Sequence, residues 1–162
     1  MGLMPGPARL DVLASRLRAP DPALALAALA QEVVPGQTGP QDRIVAVAFA
    51  TRDLDRTMAS VPLPFKRVAR DRILDADVAS VRYGPVQLLL EQAAGEGRLA
   101  AYLSRYGEGV AALYLERPRF LPPSRASRRP PRPVRTPFGR RGWLLPHEWP
   151  WGPFVIALEV EG

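Results

Sequence analysis

Hydrophobic positions in the first 40 residues repeat with a helical period. Three leucines, spaced three and four positions apart, predict a short amphipathic helix over 8–18. A second helix is predicted over 22–34, because an aspartate-proline pair precedes it and a proline-glycine pair follows it. We therefore interpret residues 1–40 as an N-terminal helical extension and linker, separate from a domain over residues 41–162.

From residue 41 onward the pattern changes to short apolar runs that are typical of strands. Strands are predicted over 43–51, 65–73, 77–83, 86–92, 109–116, 140–145 and 153–161, with helices over 52–60 and 97–106. The series begins as β-α-β-β-β, and a second, incomplete copy opens with GVAALYLE, a run comparable to the first strand RIVAVAFAT. The sequence therefore predicts an α+β fold with an internal repeat of elements.

The stretch 117–142 has a different composition from the rest of the domain. It holds seven prolines, which exclude a helix, and nine arginines with no acidic residue. The second copy is therefore expected to lack its helix. The stretch could bind an acidic partner or a phosphorylated ligand, but we favour a solvated, extended loop, because proline fixes extended backbone without a partner.

Composition excludes several kinds of site. The chain has no cysteine, which removes disulfides, thiolate nucleophiles and thiolate metal ligands. His147 is the single histidine, so one chain cannot build a metal site from several imidazoles.

The net charge of +6 is carried almost wholly by arginine, since Lys66 is the single lysine. Such a bias is typical of a GC-rich bacterial genome. Nucleic-acid binding is not expected, because phosphate-tracking surfaces usually mix lysine with arginine and interleave aromatic residues. No apolar run is long enough to span a membrane, and the aspartates near the second helix argue against a signal peptide. We expect a cytoplasmic protein.

Four stretches, taken in order, resemble a known family. They are RIVAVAFATRDLD, VQLLLEQ, GRLAAYLSRYGEGVAALYLE and GRRGWLLPHEWPWGPFVIALEV, within residues 43–161. They resemble the vicinal oxygen chelate superfamily of glyoxalases, extradiol dioxygenases and bleomycin-resistance proteins, and most of all its methylmalonyl-CoA epimerase branch. The resemblance implies that paired β-α-β-β-β units form a cupped mixed sheet, within one chain or in a swapped homodimer, with a divalent metal in the cup.

The resemblance also assigns the metal-ligand positions. The two histidine positions fall on Ala46 and Ala112, and the C-terminal carboxylate falls on Ala157. The remaining ligand falls near Leu88, or on Gln87 if the register shifts by one. The family's chemistry needs the cation as a Lewis acid. We therefore expect no metal, no cofactor and none of the family's catalytic residues.

Small side chains at these positions favour a cup that binds a small organic molecule. Strand alternation puts each alanine on one side of its strand, together with the residue two positions away. The candidate ligand-binding positions are Ala46, Ala48, Gln87, Glu91, Ala112, Tyr114, Trp143 and Ala157. A roomy apolar cup with a few polar groups suits an organic ligand. The alternative is that the cup is closed and the alanines are core.

Other residues with polar or aromatic side chains are given structural roles. His147 beside Glu148 is interpreted as a solvated turn rather than an acid-base pair. Trp149 and Trp151 are expected to anchor the loop before the last strand. Glu108, between two glycines, is interpreted as a corner residue.

The sequence thus predicts a metal-free glyoxalase-like domain that binds a small organic molecule, or a pseudoenzyme. One alternative is a divergent lyase or isomerase of the glyoxalase or methylmalonyl-CoA epimerase type, using Gln87, Glu91 and Trp143. A second alternative is a protein-interaction module that acts through the Arg/Pro-rich stretch.

Overall fold

The computed structural model of this chain describes residues 10–120, 132–146 and 150–160. The helices are α1 (Leu10–Leu17), α2 (Pro22–Val33), α3 (Leu54–Ser60) and α4 (Arg98–Tyr106). The strands are β1 (Arg43–Thr51), β2 (Lys66–Asp71), β3 (Ala76–Tyr83), β4 (Val86–Ala93), β5 (Gly109–Glu116), β6 (Val134–Arg135), β7 (Arg141–Leu144) and β8 (Phe154–Leu158). The predicted α+β class is confirmed. Strand β6 lies in the Arg/Pro-rich stretch, where the sequence had indicated only a loop.

All eight strands form one mixed sheet in the order β2-β3-β4-β1-β5-β8-β7-β6. In the first half β1 is parallel to β4, and in the second half β5 is parallel to β8. The other neighbours are antiparallel, including β1 and β5, where the two halves meet. The repeat of elements is therefore also a repeat of topology within one chain, and the sheet curves into a nearly closed cup.

The two halves differ in the connection after their first strand. In the first half α3 follows β1. In the second half the described residues between β5 and β6 are not helical, and residues 121–131 lie outside the described part of the chain.

Two apolar clusters pack on opposite faces of the sheet. On one face, which we call the outer face, residues of α1, α2 and α3 join strand residues in one cluster: Leu10, Leu13, Leu17, Leu26, Leu29, Leu54, Val47, Leu88, Leu113 and Val155 among them. On the other face, which we call the cup face, the cluster includes Ala46, Ala48, Leu89, Ala112, Ile156 and the helix α4 residues Leu99, Tyr102 and Leu103. The helical extension therefore packs on the sheet of its own chain.

The extension is held by caps and by hydrogen bonds to the sheet. The Asp21 side chain accepts a hydrogen bond from the Leu24 N–H, with Pro22 in the first turn, as is typical of a helix start. The Tyr83 hydroxyl of β3 donates to the Ala14 carbonyl oxygen of α1 at 2.9 Å, and the Arg18 Nε donates to that hydroxyl at 2.6 Å. These contacts hold α1 against β3, in the first half of the sheet.

Candidate functional site

The structure brings several of the predicted positions together on the cup face. Strand pairing sets Ala46 between Gln87 of β4 and Tyr114 of β5, and it sets Ala48 opposite Ala112. Glu91 lies further along β4, on the same side of the strand as Gln87. Gln87 is half-buried, and its Oε1 accepts a hydrogen bond from the Ser80 hydroxyl at 3.0 Å.

The cup is packed around the alanines that the resemblance aligns with metal ligands. Ala46, Ala48 and Ala112 have no solvent-accessible surface, so no water-sized void adjoins them. The larger residues that share their cluster are Leu89, Leu99, Tyr102, Leu103, Tyr114, Phe154 and Ile156. Helix α4 contacts β1, β4 and β5, so it covers this face where the alanines leave room. Of the two interpretations, the packing agrees with a closed cup.

Ala111, the neighbour of Ala112 in β5, occupies a β-bulge. Ala48 pairs with Ala112, but the next residue, Phe49, pairs with Val110. Ala111 is therefore the extra residue of β5, and it is buried in the same cup-face cluster as Ala112. Sequence alternation alone would have put these two neighbours on opposite faces.

Trp143 and Ala157 do not lie with the other predicted positions. The two residues pair directly between β7 and β8, so their side chains share a face. Ala157 belongs to the outer-face cluster, and the Trp143 ring lies 5.5 Å from the Phe120 ring, centroid to centroid. This corrects the predicted placement. The residues of β8 on the cup face are Phe154, Ile156 and Leu158.

Three buried side chains form a polar cluster on the cup face: Asp71, Glu91 and Tyr114. The Tyr114 hydroxyl contacts Asp71 Oδ2 in a short hydrogen bond and lies 3.2 Å from Glu91 Oε2. Asp71 Oδ1 accepts the backbone N–H groups of Ile73 at 2.9 Å and Leu74 at 3.0 Å. Glu91 Oε1 is buried and has no hydrogen-bond partner in the described structure.

The environment changes the acidity of this cluster. Burial, and then the neighbouring Asp71, raises the pKa of Glu91 well above its ordinary value of 4.5. Burial, and then Glu91 and Asp71, raises the pKa of Tyr114 above 10.0. Above the cluster, burial likewise raises the pKa of Tyr102, whose hydroxyl donates to the Val110 carbonyl oxygen at 3.0 Å.

Sequence reasoning missed Asp71. It is the last residue of β2, whose other side chains are all exposed. Its carboxylate accepts hydrogen bonds from the N–H groups two and three residues further along the chain, as aspartate often does in turns. The available signal was one acidic residue at the end of a basic strand, two positions before the apolar pair Ile73-Leu74.

The Gly-Glu-Gly corner before β5 has a structural explanation. Gly107 ends α4 with a φ of +76°. A Cβ on Gly109 would lie 2.9 Å from the Tyr102 hydroxyl oxygen, so glycine lets the Tyr102–Val110 hydrogen bond form. Glu108 accepts hydrogen bonds from the Thr51 hydroxyl at 2.7 Å and the Arg52 N–H at 3.0 Å. The corner therefore joins the end of β1 to the start of β5.

The tryptophan-rich loop is described only in part. The Trp151 indole N–H donates to the Tyr106 hydroxyl at 2.9 Å, and the Arg105 guanidinium lies 4.7 Å from the Trp151 ring centroid. The predicted residues His147, Glu148 and Trp149 lie outside the described part of the chain.

A groove of about 830 Å³ lies at the base of the extension. Its walls are the Ala/Leu face of α2, residues 38–44 and Pro85. Asp42, one of the residues that line the groove, accepts two hydrogen bonds from the Arg117 guanidinium, at 2.9 and 3.0 Å. The lining of the groove is mainly apolar.

The described residues contain neither a cluster of metal-ligating side chains nor a helix that could span a membrane. Within residues 10–120, 132–146 and 150–160, no three His, Cys, Asp or Glu side chains are grouped closely enough to hold a metal ion. In the same ranges no helix combines the length and the apolar character that crossing a membrane requires.

Comparison with solved structures identifies the fold. The hypothetical protein BH1468 from Bacillus halodurans C-125 matches with a TM-score of 0.55 at 14% sequence identity, over 75% of this chain and 96% of that one. Methylmalonyl-CoA epimerase from Mycobacterium tuberculosis matches with a TM-score of 0.55 at 13% identity, over 74% of this chain and 88% of its own. No protein-family model matches the chain, and no curated protein matches it. The chain therefore has the vicinal oxygen chelate fold, and identity this low carries no statement about activity.

Proposed function

We propose that this chain is a metal-independent protein of the vicinal oxygen chelate fold, a pseudoenzyme relative to the epimerases and glyoxalases that share it. The observation that carries the proposal is the set of side chains on the cup face at the positions where metal ligands are expected. Ala46 and Ala112 offer no donor atom, and β8 presents Phe154, Ile156 and Leu158 to this face. Gln87 supplies the one donor oxygen among these positions.

A single amide oxygen does not fit a divalent cation. Such ions take several oxygen or nitrogen ligands, usually with carboxylate charge. The Gln87 oxygen already accepts a hydrogen bond from Ser80. Glu91 and Asp71 are further along the cup and are engaged with Tyr114. The residues present therefore support a protein without the family's Lewis-acid chemistry.

The packing of the cup supports a pseudoenzyme over a ligand-binding cup or a divergent lyase. A substrate would need space beside Glu91, but Glu91 and Ala112 have no accessible surface. Trp143, the aromatic candidate for stacking on a ligand, belongs to the outer face. Turnover would require α4 to move away from the sheet.

Calorimetric titration of the purified chain with Co²⁺, Zn²⁺ and Mn²⁺ tests the proposal. We expect no saturable binding at one ion per chain, and the same result for Gln87→Ala. Saturable binding that Gln87→Ala abolishes would show that the cup does coordinate metal, and the proposal would be wrong. Weak binding that is equal in both proteins would come from surface carboxylates and leaves the expected result intact.

A second candidate function is binding of a small organic molecule in the groove beside α2. Its volume of about 830 Å³ lies within the range of ligand pockets, and a mainly apolar lining with a few polar groups is typical of them. Ala27 lines the groove, whereas its exposed neighbour Ala28 does not. Binding in a ligand-observed NMR screen that Ala27→Trp abolishes and Ala28→Trp retains would support this role. Equal binding to both variants would exclude it.

The remaining finer expectations stay proposals. The division at residue 40, the homodimer and the interaction role of the Arg/Pro-rich stretch are each open to experiment. A partner that is recovered by the full chain, but not after residues 118–135 are replaced with a Gly/Ser linker, would support the interaction role.

A further inference from the structure

The polar cluster on the cup face is a candidate site that the pseudoenzyme proposal does not use. Asp71, Glu91 and Tyr114 are all fully buried, in surroundings that are otherwise apolar. Buried polar groups are nearly always hydrogen-bonded, so their donors and acceptors should balance. Whether they balance depends on how many hydrogens the cluster holds.

The hydrogen count shows that one donor is missing if both carboxyl groups are ionised. The Tyr114 oxygen contacts Asp71 Oδ2 and Glu91 Oε2, but its hydroxyl has one hydrogen. That hydrogen can serve one of the two carboxylates. The other contact would then bring two oxygen atoms together with no hydrogen between them. A second hydrogen between Tyr114 and one carboxyl group removes this conflict.

The two carboxyl groups are not equivalent holders of that hydrogen. Asp71 Oδ1 accepts two backbone N–H groups, which stabilise a carboxylate. Glu91 Oε1 has no partner, so an ionised Glu91 would carry buried, unpaired charge. The hydrogen therefore belongs on Glu91 Oε2, with the Glu91 O–H donating to Tyr114 and the Tyr114 O–H donating to Asp71.

We propose that the cup face contains a proton-binding site, in which Glu91 holds a proton in the folded protein. A chain of hydrogen bonds then runs from Glu91 through Tyr114 to the Asp71 carboxylate. Because the unfolded chain releases this proton readily, folding takes up a proton. The stability of the fold therefore depends on pH through one residue. This inference is independent of whether the protein binds a metal or an organic molecule.

The groups around Glu91 leave Asp71 and Tyr114 as its titratable neighbours. Its paired residues on β1 and β3 are Ala50 and Val78. Helix α4 presents Tyr102, whose hydroxyl is engaged with Val110, and β8 presents apolar side chains. None of the ion pairs among the described residues involves Glu91 or Asp71.

The direction of the effect follows from the raised pKa of Glu91. Both folded and unfolded chains hold the proton below the ordinary value of 4.5. Above it the unfolded chain loses the proton while the folded chain keeps it, so stability falls as pH rises toward the folded-state pKa. A single proton changes the folding equilibrium constant by up to about tenfold per pH unit in that window.

The experiment is urea unfolding of the full chain at a series of pH values between about 5 and 9. We expect the wild-type stability to fall with rising pH, and Glu91→Gln to lose that component, because glutamine can donate to Tyr114 without titrating. Glu32→Gln is the matched control, since Glu32 is an exposed partner of Arg16, and it should keep the wild-type profile. The single histidine is present in all three proteins and cancels from the comparison. Parallel profiles for wild type and Glu91→Gln would overturn the proposal.

A second measurement keeps the proposal testable if Glu91→Gln does not fold. Infrared spectra of the wild-type protein at neutral pH, with and without ¹³C-labelled glutamate, report protonated carboxylic acid groups. We expect one glutamic acid carbonyl band that shifts on labelling and disappears on unfolding. A folded protein with no such band would contradict the assignment of the proton to Glu91.

Discussion

The outer face and the cup face belong to the same sheet but are stabilised in different ways. The outer face carries large aliphatic side chains, and α1, α2 and α3 cover it with more of the same kind. The cup face carries alanines on β1 and β5, and every buried Asp, Glu or Tyr in the described ranges lies on that side. The stability of the outer face therefore depends on the burial of large apolar side chains, whereas the stability of the cup face depends on the positions of a few hydrogen-bonding atoms. Four changes to the chain test this difference.

The largest effect is expected on the outer face. Leu13 of α1 is buried at 2% exposure, so Leu13→Ala should lower the free energy of unfolding by about 2–5 kcal/mol. Val12 is the adjacent control at 49% exposure, and Val12→Ala should change it by less than about 0.5 kcal/mol. Urea denaturation measures both. Equal effects would mean that α1 does not pack on the sheet.

The cup face should respond to the loss of one oxygen atom. Tyr114→Phe removes the donor to Asp71 and the acceptor of the Glu91 proton, and it leaves both carboxyl groups buried. We expect a loss of about 1–3 kcal/mol in the free energy of unfolding at neutral pH. Tyr83→Phe removes a hydroxyl at a half-buried position and should cost less. A smaller loss for Tyr114→Phe than for Tyr83→Phe would contradict the assigned cluster.

A single methyl group at the corner should disturb the cup. Gly109→Ala puts a Cβ 2.9 Å from the Tyr102 hydroxyl oxygen, so the ring must shift and its bond to Val110 must lengthen. We expect a loss of roughly 1–2 kcal/mol in unfolding free energy. Gly39→Ala is the control, because its Cβ would meet nothing closer than 4.0 Å. Thermal unfolding of the two variants should separate them, and coincident melting curves would count against the role given to Gly109.

The smallest effect concerns Glu116, a carboxyl group whose pKa is shifted in the direction opposite to that of Glu91. The hydrogen bond from Arg43, aided by Arg140, holds the pKa of Glu116 below its ordinary value of 4.5. Its contribution is present above that value and is lost as pH falls through the folded-state pKa. Glu116→Gln should cost up to about 1 kcal/mol near neutral pH and nothing at strongly acidic pH. Glu91 and Glu116 thus predict opposite pH slopes in unfolding experiments, and a cost of Glu116→Gln that persists in acid would be inconsistent with this pairing.

Apart from β6, the sequence predicted the order of the elements, and it predicted the fold class, because period-two and helical patterns are local. It also placed Gln87 and Glu91 on one side of β4. It did not place Trp143 and Ala157 correctly, because the run Phe154–Leu158 is apolar on both faces and gives no indication of which residues face the cup. The bulge at Ala111 was equally invisible, since it depends on pairing between β1 and β5.

Asp71 shows a different limit of the sequence. Its strand is exposed except at this last residue, and its hydrogen-bond partners are Tyr114 of β5 and two backbone N–H groups of the adjacent turn. A carboxylate becomes buried there because the fold brings Tyr114 to it, and no local pattern contains that information. The role of Glu108 was also hidden, since Thr51 lies 57 positions away in the chain.

Native mass spectrometry of the protein as purified, with elemental analysis of the same sample, tests the central claim most directly. We predict that the chain, with Ala46 and Ala112 where the proposal expects metal ligands, carries no stoichiometric divalent metal after dialysis. One divalent ion per chain that survives dialysis would contradict the proposal of a metal-independent protein, and it would favour a metalloenzyme with this fold.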